Sequence, residues 1–206
     1  MLSGEQEAFY DFVGAKHAID INQGLIIDIG GGSTELIFVN NGQAEKTISM
    51  PIGSLNMYTE YIEKLLPTKE QSKKIKKVVE NKLEKIKLSN YEYPMAYGIG
   101  GTTRGTCKLS NDMFDNLPEN KKVPIRNIKK IIKLFKDDYK GAISEILEVV
   151  PDRIHTIIPG MIILKTIMKY YKCEMLTISQ FGIREGYIIE NVINNKLCKE
   201  EKAKKK

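Results

Sequence analysis

The chain has 206 residues, 42% of them hydrophobic and 28% charged, with a formal net charge of +6, a globular composition long enough for one sizeable core. Residues 196–206, KLCKEEKAKKK, hold six Lys against two Glu, which is +4 of the +6 and leaves +2 for the rest. A body so close to neutral, without aromatic residues interleaved in a basic patch, argues against a nucleic-acid partner.

No apolar run reaches the ~18 residues of a membrane span. The opening MLSGEQEAFYDF has neither the basic start nor the apolar stretch of a signal peptide. Cys107, Cys173 and Cys198 are far apart and match no disulfide or metal-ligand spacing, so reduced thiols in a cytoplasm are expected.

Residues 5–14 read as a short helix, followed by a loop over Asp20 to Gln23. Three strands are predicted at about 24–30, 33–40 and 43–50, with the Asn41-Gly42 hairpin signal between the last two. Between the first two strands stands IDIGGGSTEL. Gly30, Gly31 and Gly32 exceed what a hairpin turn needs, so a ligand close to the backbone is expected there. Successive N–H groups in a Gly-rich turn form an anion-binding concavity, and the hydroxyls of Ser33 and Thr34 would add donors. Asp28 would repel a bare phosphate, which makes sense if Mg²⁺ lies between them. The alternative is a tight glycine turn beside a solvated Asp.

From Gly53 the period becomes helical, with Ser54 a candidate N-cap and Leu55, Tyr58, Ile62 and Leu65 on one face. A helix over 69–88 aligns Ile75, Val78, Val79, Leu83 and Ile86, with Lys73, Lys74, Lys76 and Lys77 on its solvated side. A strand at 93–99 runs into a second glycine cluster, Gly98-Ile-Gly-Gly-Thr-Thr, which opens another helix. The stretch 108–124, with Pro118 and Pro124, is expected to be a mobile loop. A helix at 125–138 aligns Ile125, Ile128, Ile132 and Phe135, and another begins near Ile158 and packs Met161, Leu164, Met168 and Tyr171. A last strand, Glu174 to Ile178, precedes a final helix after Gly182. Strands alternating with helices predict an α/β domain with a mixed five-stranded sheet, three antiparallel strands first, flanked by helices.

SGEQEA (3–8), IDIGGGSTEL (27–36), GIGGTTR (98–104), RIHTIIPG (153–160) and SQFGIREGY (179–187) occur in that order. In sequence and order these motifs resemble the second domain of the exopolyphosphatase / guanosine pentaphosphate phosphohydrolase (Ppx/GppA) family, over nearly the whole chain. The resemblance implies a ribonuclease H-like domain of the actin-like ATPase superfamily over residues 1–198, with a basic tail at 199–206. Family members begin with a first domain carrying a DxGSNS loop; no such segment stands upstream of Ser3. The chain is therefore expected to fold but to be inactive by itself, with that domain as its partner; self-association into a homodimer is left open.

The resemblance makes Glu7 the general base, Asp28 the metal-associated carboxylate with Mg²⁺ as cofactor, and Glu35 a second acidic catalytic residue. It assigns phosphate binding to Gly30, Gly31, Gly32, Ser33 and Thr34, and to Gly100, Gly101 and Thr102. Arg184 and Glu185 are expected to form an ion pair that fixes their loop. Arg104 either contacts phosphate or is solvated. His155 stands where relatives often carry Asp, so that site is not essential, and His17 reads as a surface residue. The implied activity is release of terminal orthophosphate from inorganic polyphosphate, conversion of pppGpp to ppGpp, or both. An ATP-binding kinase or ATPase of the superfamily and a non-catalytic alarmone sensor are the alternatives.

Overall fold

The computed structural model describes residues 2–88 and 92–194; Cys198 and the expected basic tail lie outside them. Helix α1 spans Gly4–Ala18 and starts at a reciprocal cap. The Gln6 N–H donates to Ser3 Oγ at 3.3 Å, and the Ser3 N–H donates to Gln6 Oε1 at 2.9 Å, satisfying two of the helix's orphan donors. Strands β1 (Gly24–Ile29), β2 (Thr34–Asn40) and β3 (Gln43–Met50) form the expected antiparallel meander. Its hairpin is closed by Asn41 and Gly42, both at positive φ.

The sheet has six strands rather than five, in the order β3-β2-β1-β4-β6-β5. Strand β4 (Met95–Ile99) runs parallel to β1, and β6 (Met175–Ile178) runs parallel to β4. The added strand β5 (Lys122–Pro124) pairs antiparallel with β6 at the edge. Three residues ending in Pro carry no periodic signal, and an edge strand tolerates the missing N–H.

Helices α2 (Ser54–Tyr61), α3 (Lys69–Ile86), α4 (Gly100–Met113), α5 (Ile125–Asp137), α6 (Tyr139–Val149) and α7 (Ile157–Tyr170) cover one sheet face. Helix α7 is buried along nearly its whole length and lies between α3 and α5. On the other face, α1 packs against α8 (Ile183–Ile188) and the π-helical turn Ile189–Asn194, with Tyr10 edge-on to Tyr187 at 5.2 Å. Strand alternation sorts the core. Leu25, Ile27 and Ile29 point to the many-helix side, and Ile26 points to α1.

Three local expectations are corrected. Gly53, not Ser54, caps α2; Ser54 instead donates its hydroxyl to the Gly30 carbonyl at 3.0 Å. Leu55 is exposed, and Met57 carries the buried side of that helix. The stretch 108–124 is ordered. Helix α4 runs to Met113 with Leu109 fully buried, and Asn120 donates to Asn111 Oδ1 at 2.8 Å to close the turn into β5. Helix α6 is additional: Asp138 caps it at the Gly141 N–H, and it buries Ala142 and Ile146.

Candidate active site

The register of the meander assembles the site. Asp28 on β1 lies opposite Glu35 on β2, and Glu35 lies opposite Ser49 on β3. Odd–even alternation puts Asp28 and Glu35 on the face that α1 crosses, where Glu7 and Asp11 are four residues apart and share one side of the helix. Glu7, Asp11, Asp28 and Glu35 thus come together, and each of Asp11, Asp28 and Glu35 feels the charge of at least one of the others.

Asp11 was not anticipated. It is wholly buried, and the donor that faces its carboxyl group is the backbone N–H of Ile183 at the start of α8. Burial, reinforced by the charges of Asp28 and Glu35, pushes its pKa up to about 9. Two facing carboxylates are acceptors only, so a bond between Asp11 and Asp28 requires a proton or a cation between them. Asp28 is also raised, chiefly by desolvation, with Asp11 and the cationic Arg104 opposing the rise. Glu35 is raised by desolvation, against hydrogen bonds from Ser49 (2.7 Å) and Ser33. The four-residue spacing from Glu7 was the available signal for Asp11.

The loop between β1 and β2 turns its carbonyls inward and its amides outward. The Gly30 carbonyl accepts from the Ser54 N–H, and the Gly31 carbonyl accepts from the N–H groups of Leu55 and Asn56. Asn56 Nδ2 donates to the Gly32 carbonyl at 3.0 Å. Among the described residues, nothing accepts from the N–H groups of Gly31, Gly32 or Ser33. Neither Gly31 nor Gly32 has a positive φ, and a Cβ there meets nothing closer than 3.5 Å. The fold does not require glycine at these two positions, whereas a ligand lying on the backbone does. At Gly53, by contrast, a Cβ would collide with the Gly31 carbonyl, so this residue lets α2 brace the loop.

The second cluster lies at the carboxyl end of β4, where α4 begins without a side-chain cap. The first-turn amides of Gly100, Gly101 and Thr102 have no acceptor among the described residues and carry the positive end of the helix dipole. Gly100, at φ +77°, presses on the Asp28 carboxylate, where a Cβ would fall on Oδ1. Two hydroxyls are committed elsewhere. Thr34 is buried and donates to the Ile52 carbonyl (2.6 Å), and Thr102 donates to the Ile29 carbonyl (3.0 Å). In this structure both hydroxyls are therefore engaged with backbone carbonyls, while the Thr102 amide is not.

A cavity of about 330 Å³ opens over Asp28, Gly100, Arg104, Gly182 and Arg184. The expected Arg184–Glu185 pair is not among the ion pairs of the described residues. Glu185 instead accepts the Gly182 N–H at 2.9 Å and caps α8, which leaves Arg184 exposed on the cavity wall. A second cavity, about 230 Å³, flanks α4 and gathers Arg104, Lys108 and Arg153. The Arg153 guanidinium rests against Gly101; nothing local marked this contact between residues 52 apart. His17 is exposed and stacks on Phe181, and His155 packs on Tyr58 at 4.8 Å.

A mixed sheet flanked by helices, with glycine loops at the carboxyl ends of its adjacent parallel strands β1 and β4, is a domain of the actin-like, ribonuclease H-type architecture. The model of the Ppx/GppA phosphatase family matches residues 1–195, and the chain belongs to that family. The chain is 31% identical over 207 residues to the "Bifunctional 3-dehydroquinate synthase/phosphatase" of Fusobacterium nucleatum subsp. nucleatum, covering 94% of this chain and 30% of that protein. A Haemophilus influenzae relative, 23% identical, is covered over 58% of its length. The crystal structure of the Aquifex aeolicus Ppx/GppA family member superimposes with a TM-score of 0.79 at 25% identity, covering 94% of this chain and 64% of that one. An exopolyphosphatase from Cytophaga hutchinsonii shares the fold at 18% identity, with a TM-score of 0.75 and coverage of 90% and 62%. The chain therefore spans less than two thirds of each of these proteins.

Proposed function

We propose that this phosphatase-family chain supplies one wall of a cleft that hydrolyses terminal phosphoanhydrides, releasing orthophosphate from inorganic polyphosphate, pppGpp or both. One observation carries the reading: two sets of unpaired backbone amides, at Gly31–Ser33 and Gly100–Thr102, flank the Asp28 carboxylate. Preorganised N–H groups of this kind stabilise developing charge on phosphoryl oxygens without reorganising. Gly30 at the root of the loop lends its carbonyl to α2, which holds the amides in place.

In this mechanism the terminal phosphate lies across the two amide sets, and the rest of the phosphate chain extends towards Arg104, Lys108 and Arg153. Glu7, half-buried beside Asp28 and Glu35, orients a water in line with the leaving oxygen and accepts its proton. Glu35, held by hydrogen bonds from Ser49 and Ser33, lines the same face beside Glu7 and Asp28. The donors suit Mg²⁺. Asp28, with the Asp11 carboxyl group behind it, offers the one or two carboxylates that Mg²⁺ takes alongside phosphate oxygens and waters. Among the described residues no group of three or more His, Cys, Asp or Glu side chains is placed to hold a metal, so the Mg²⁺ of this proposal would take its remaining ligands from phosphate oxygens and water. Once bound, it would neutralise charge on the phosphates.

The test is orthophosphate release from long-chain polyphosphate, pppGpp and ATP. It is run with this chain alone and with the chain joined to a preceding first domain of the family. Release from polyphosphate or pppGpp by the joined protein, abolished in Glu7→Gln, is the expected result. Turnover of ATP alone would favour the ATPase alternative. Tight binding of ppGpp without turnover of any substrate would favour the sensor.

A further inference from the structure

Across the sheet from Asp28, the helical layer gathers lysines that are far apart in sequence. Lys69, Lys73 and Lys76 recur at helical spacing on α3, Lys129 and Lys136 lie on α5, and Lys165 and Lys169 lie on α7 between them. The four charges that act most strongly on Lys165 are all cations: Lys136, Lys76, Lys129 and Lys169. Lys136 is in turn repelled by Lys69 and Lys73. Two carboxylates partly offset this, Glu80 at 3.1 Å from Lys76 and Asp137 at 3.7 Å from Lys69.

Lysines on a single helix normally stand apart in water, but this arrangement differs. Lys165 and Lys136 are half-buried, and the group is folded around two clefts, of about 180 Å³ beside Lys165 and about 260 Å³ beside Lys136. Partial burial together with like charge lowers the Lys165 pKa to about 8. Such a cluster is destabilising in the free protein and becomes favourable when an anion of high charge density lies along it.

We infer that the lysine face of α3, α5 and α7 is a second binding site, separate from the catalytic cleft, for a linear chain of phosphates: inorganic polyphosphate. The inference rests on the phosphohydrolase reading for its choice of polyanion, because a site of this kind would hold a long substrate while its end is processed. Nucleic acid fits less well. Among the described residues lining the two clefts there is no Arg, Asn or Gln to read base edges. Phe135 is buried and Tyr170 is packed edge-on to Tyr171 at 5.0 Å, so among the rings lining the two clefts Tyr139 is the exposed one, short of the run of aromatic platforms on which successive bases stack. Ammonium groups act as compact point charges and match a chain that presents only phosphate.

The experiment measures binding of fluorescent long-chain polyphosphate to the full chain in EDTA over a salt series, so turnover plays no part. The triple variant Lys76→Gln/Lys136→Gln/Lys165→Gln is expected to bind at least about ten-fold more weakly, with a shallower salt dependence as fewer counterions are exchanged. Its melting temperature is expected to be no lower than that of the unmodified protein, because mutual repulsion is relieved. Lys16→Gln/Lys46→Gln/Lys122→Gln, the same change in charge at exposed lysines elsewhere, is expected to leave binding within about two-fold, because dispersed surface charge contributes little beyond a Debye length. Equal losses in both triples, or no loss in the first, would overturn the proposal. So would single-stranded DNA of matched charge bound as tightly and with the same sensitivity to the first triple, since the face would then take nucleic acid. Should the first triple not fold, Lys165→Gln alone carries the comparison. In the chain joined to a preceding first domain of the family, phosphate release from tripolyphosphate, too short to reach across the molecule, stays unchanged in the first triple. A joined protein that binds polyphosphate but never hydrolyses it would refute the phosphohydrolase reading and leave this site standing.

Discussion

Asp11→Asn tests the carboxylate group directly. Asp11 holds a proton in the folded protein until about pH 9, against an ordinary value of 3.8. Unfolded, it is ionised at any pH well above that value. Between these limits the folded state binds one proton more than the unfolded state, so stability is fully present below the unfolded pKa and is lost as pH rises. One proton corresponds to a slope of about 1.4 kcal/mol per pH unit, or roughly 4 kcal/mol between pH 5 and 8, a large share of a domain's total. The amide that replaces the carboxyl group in this variant keeps its shape and cannot ionise. Urea denaturation at half-unit pH steps in EDTA is expected to show the unmodified protein losing stability as pH rises from 5 to 8. The variant is expected to lose about 1.4 kcal/mol less per unit and to be the more stable at pH 8. The raised pKa values of Asp28 and Glu35 act in the same direction in both proteins and largely cancel in the difference. Adding Mg²⁺ is expected to flatten the profile of the unmodified protein, because a cation between Asp11 and Asp28 replaces the proton. Parallel profiles for the two proteins in EDTA would refute the assignment of a buried proton to this pair.

Glu7→Gln is expected to lower orthophosphate release by a factor of roughly 10²–10⁴ with no change in melting temperature, measured by phosphate assay and circular dichroism on the active polypeptide. Asp28→Asn is expected to raise the Mg²⁺ concentration needed for half-maximal release, whereas Glu7→Gln leaves that requirement alone; equal metal titrations in the Asp28 variant and the unmodified protein would remove Asp28 as a ligand. Gly53→Ala places a methyl group against the Gly31 carbonyl and is expected to lower stability by about 1–3 kcal/mol, as overpacking does, and to weaken phosphate binding in a calorimetric titration. A variant that keeps both properties would show that α2 does not brace the loop.

The sequence alone determined what is written in short-range patterns. The alternation of Leu25 to Ile29 and the Asn41-Gly42 turn fixed three strands and their pairing, and the period of Ile75, Val79 and Leu83 fixed the buried side of α3. It also marked the glycine loops at Gly30 and Gly100 and the Asp28 carboxylate beside the first of them, because strand alternation and glycine turns depend on neighbours a few residues apart; Glu7 and Glu35 entered only through the resemblance of their motifs to the family. Only the tertiary structure decided the rest. Whether β5 is a strand depends on β6, more than 50 residues later, since three residues form a ladder only when a partner supplies the hydrogen bonds. The buried state of Asp11 depends on α1 lying across Asp28, and the approach of Arg153 to Gly101 depends on the turn between α6 and α7 folding back on α4. The lysines of α3, α5 and α7 read one helix at a time as ordinary solvated side chains. They became one charged surface when α7 packed between the other two, because Coulomb repulsion depends on separation in space and not along the chain.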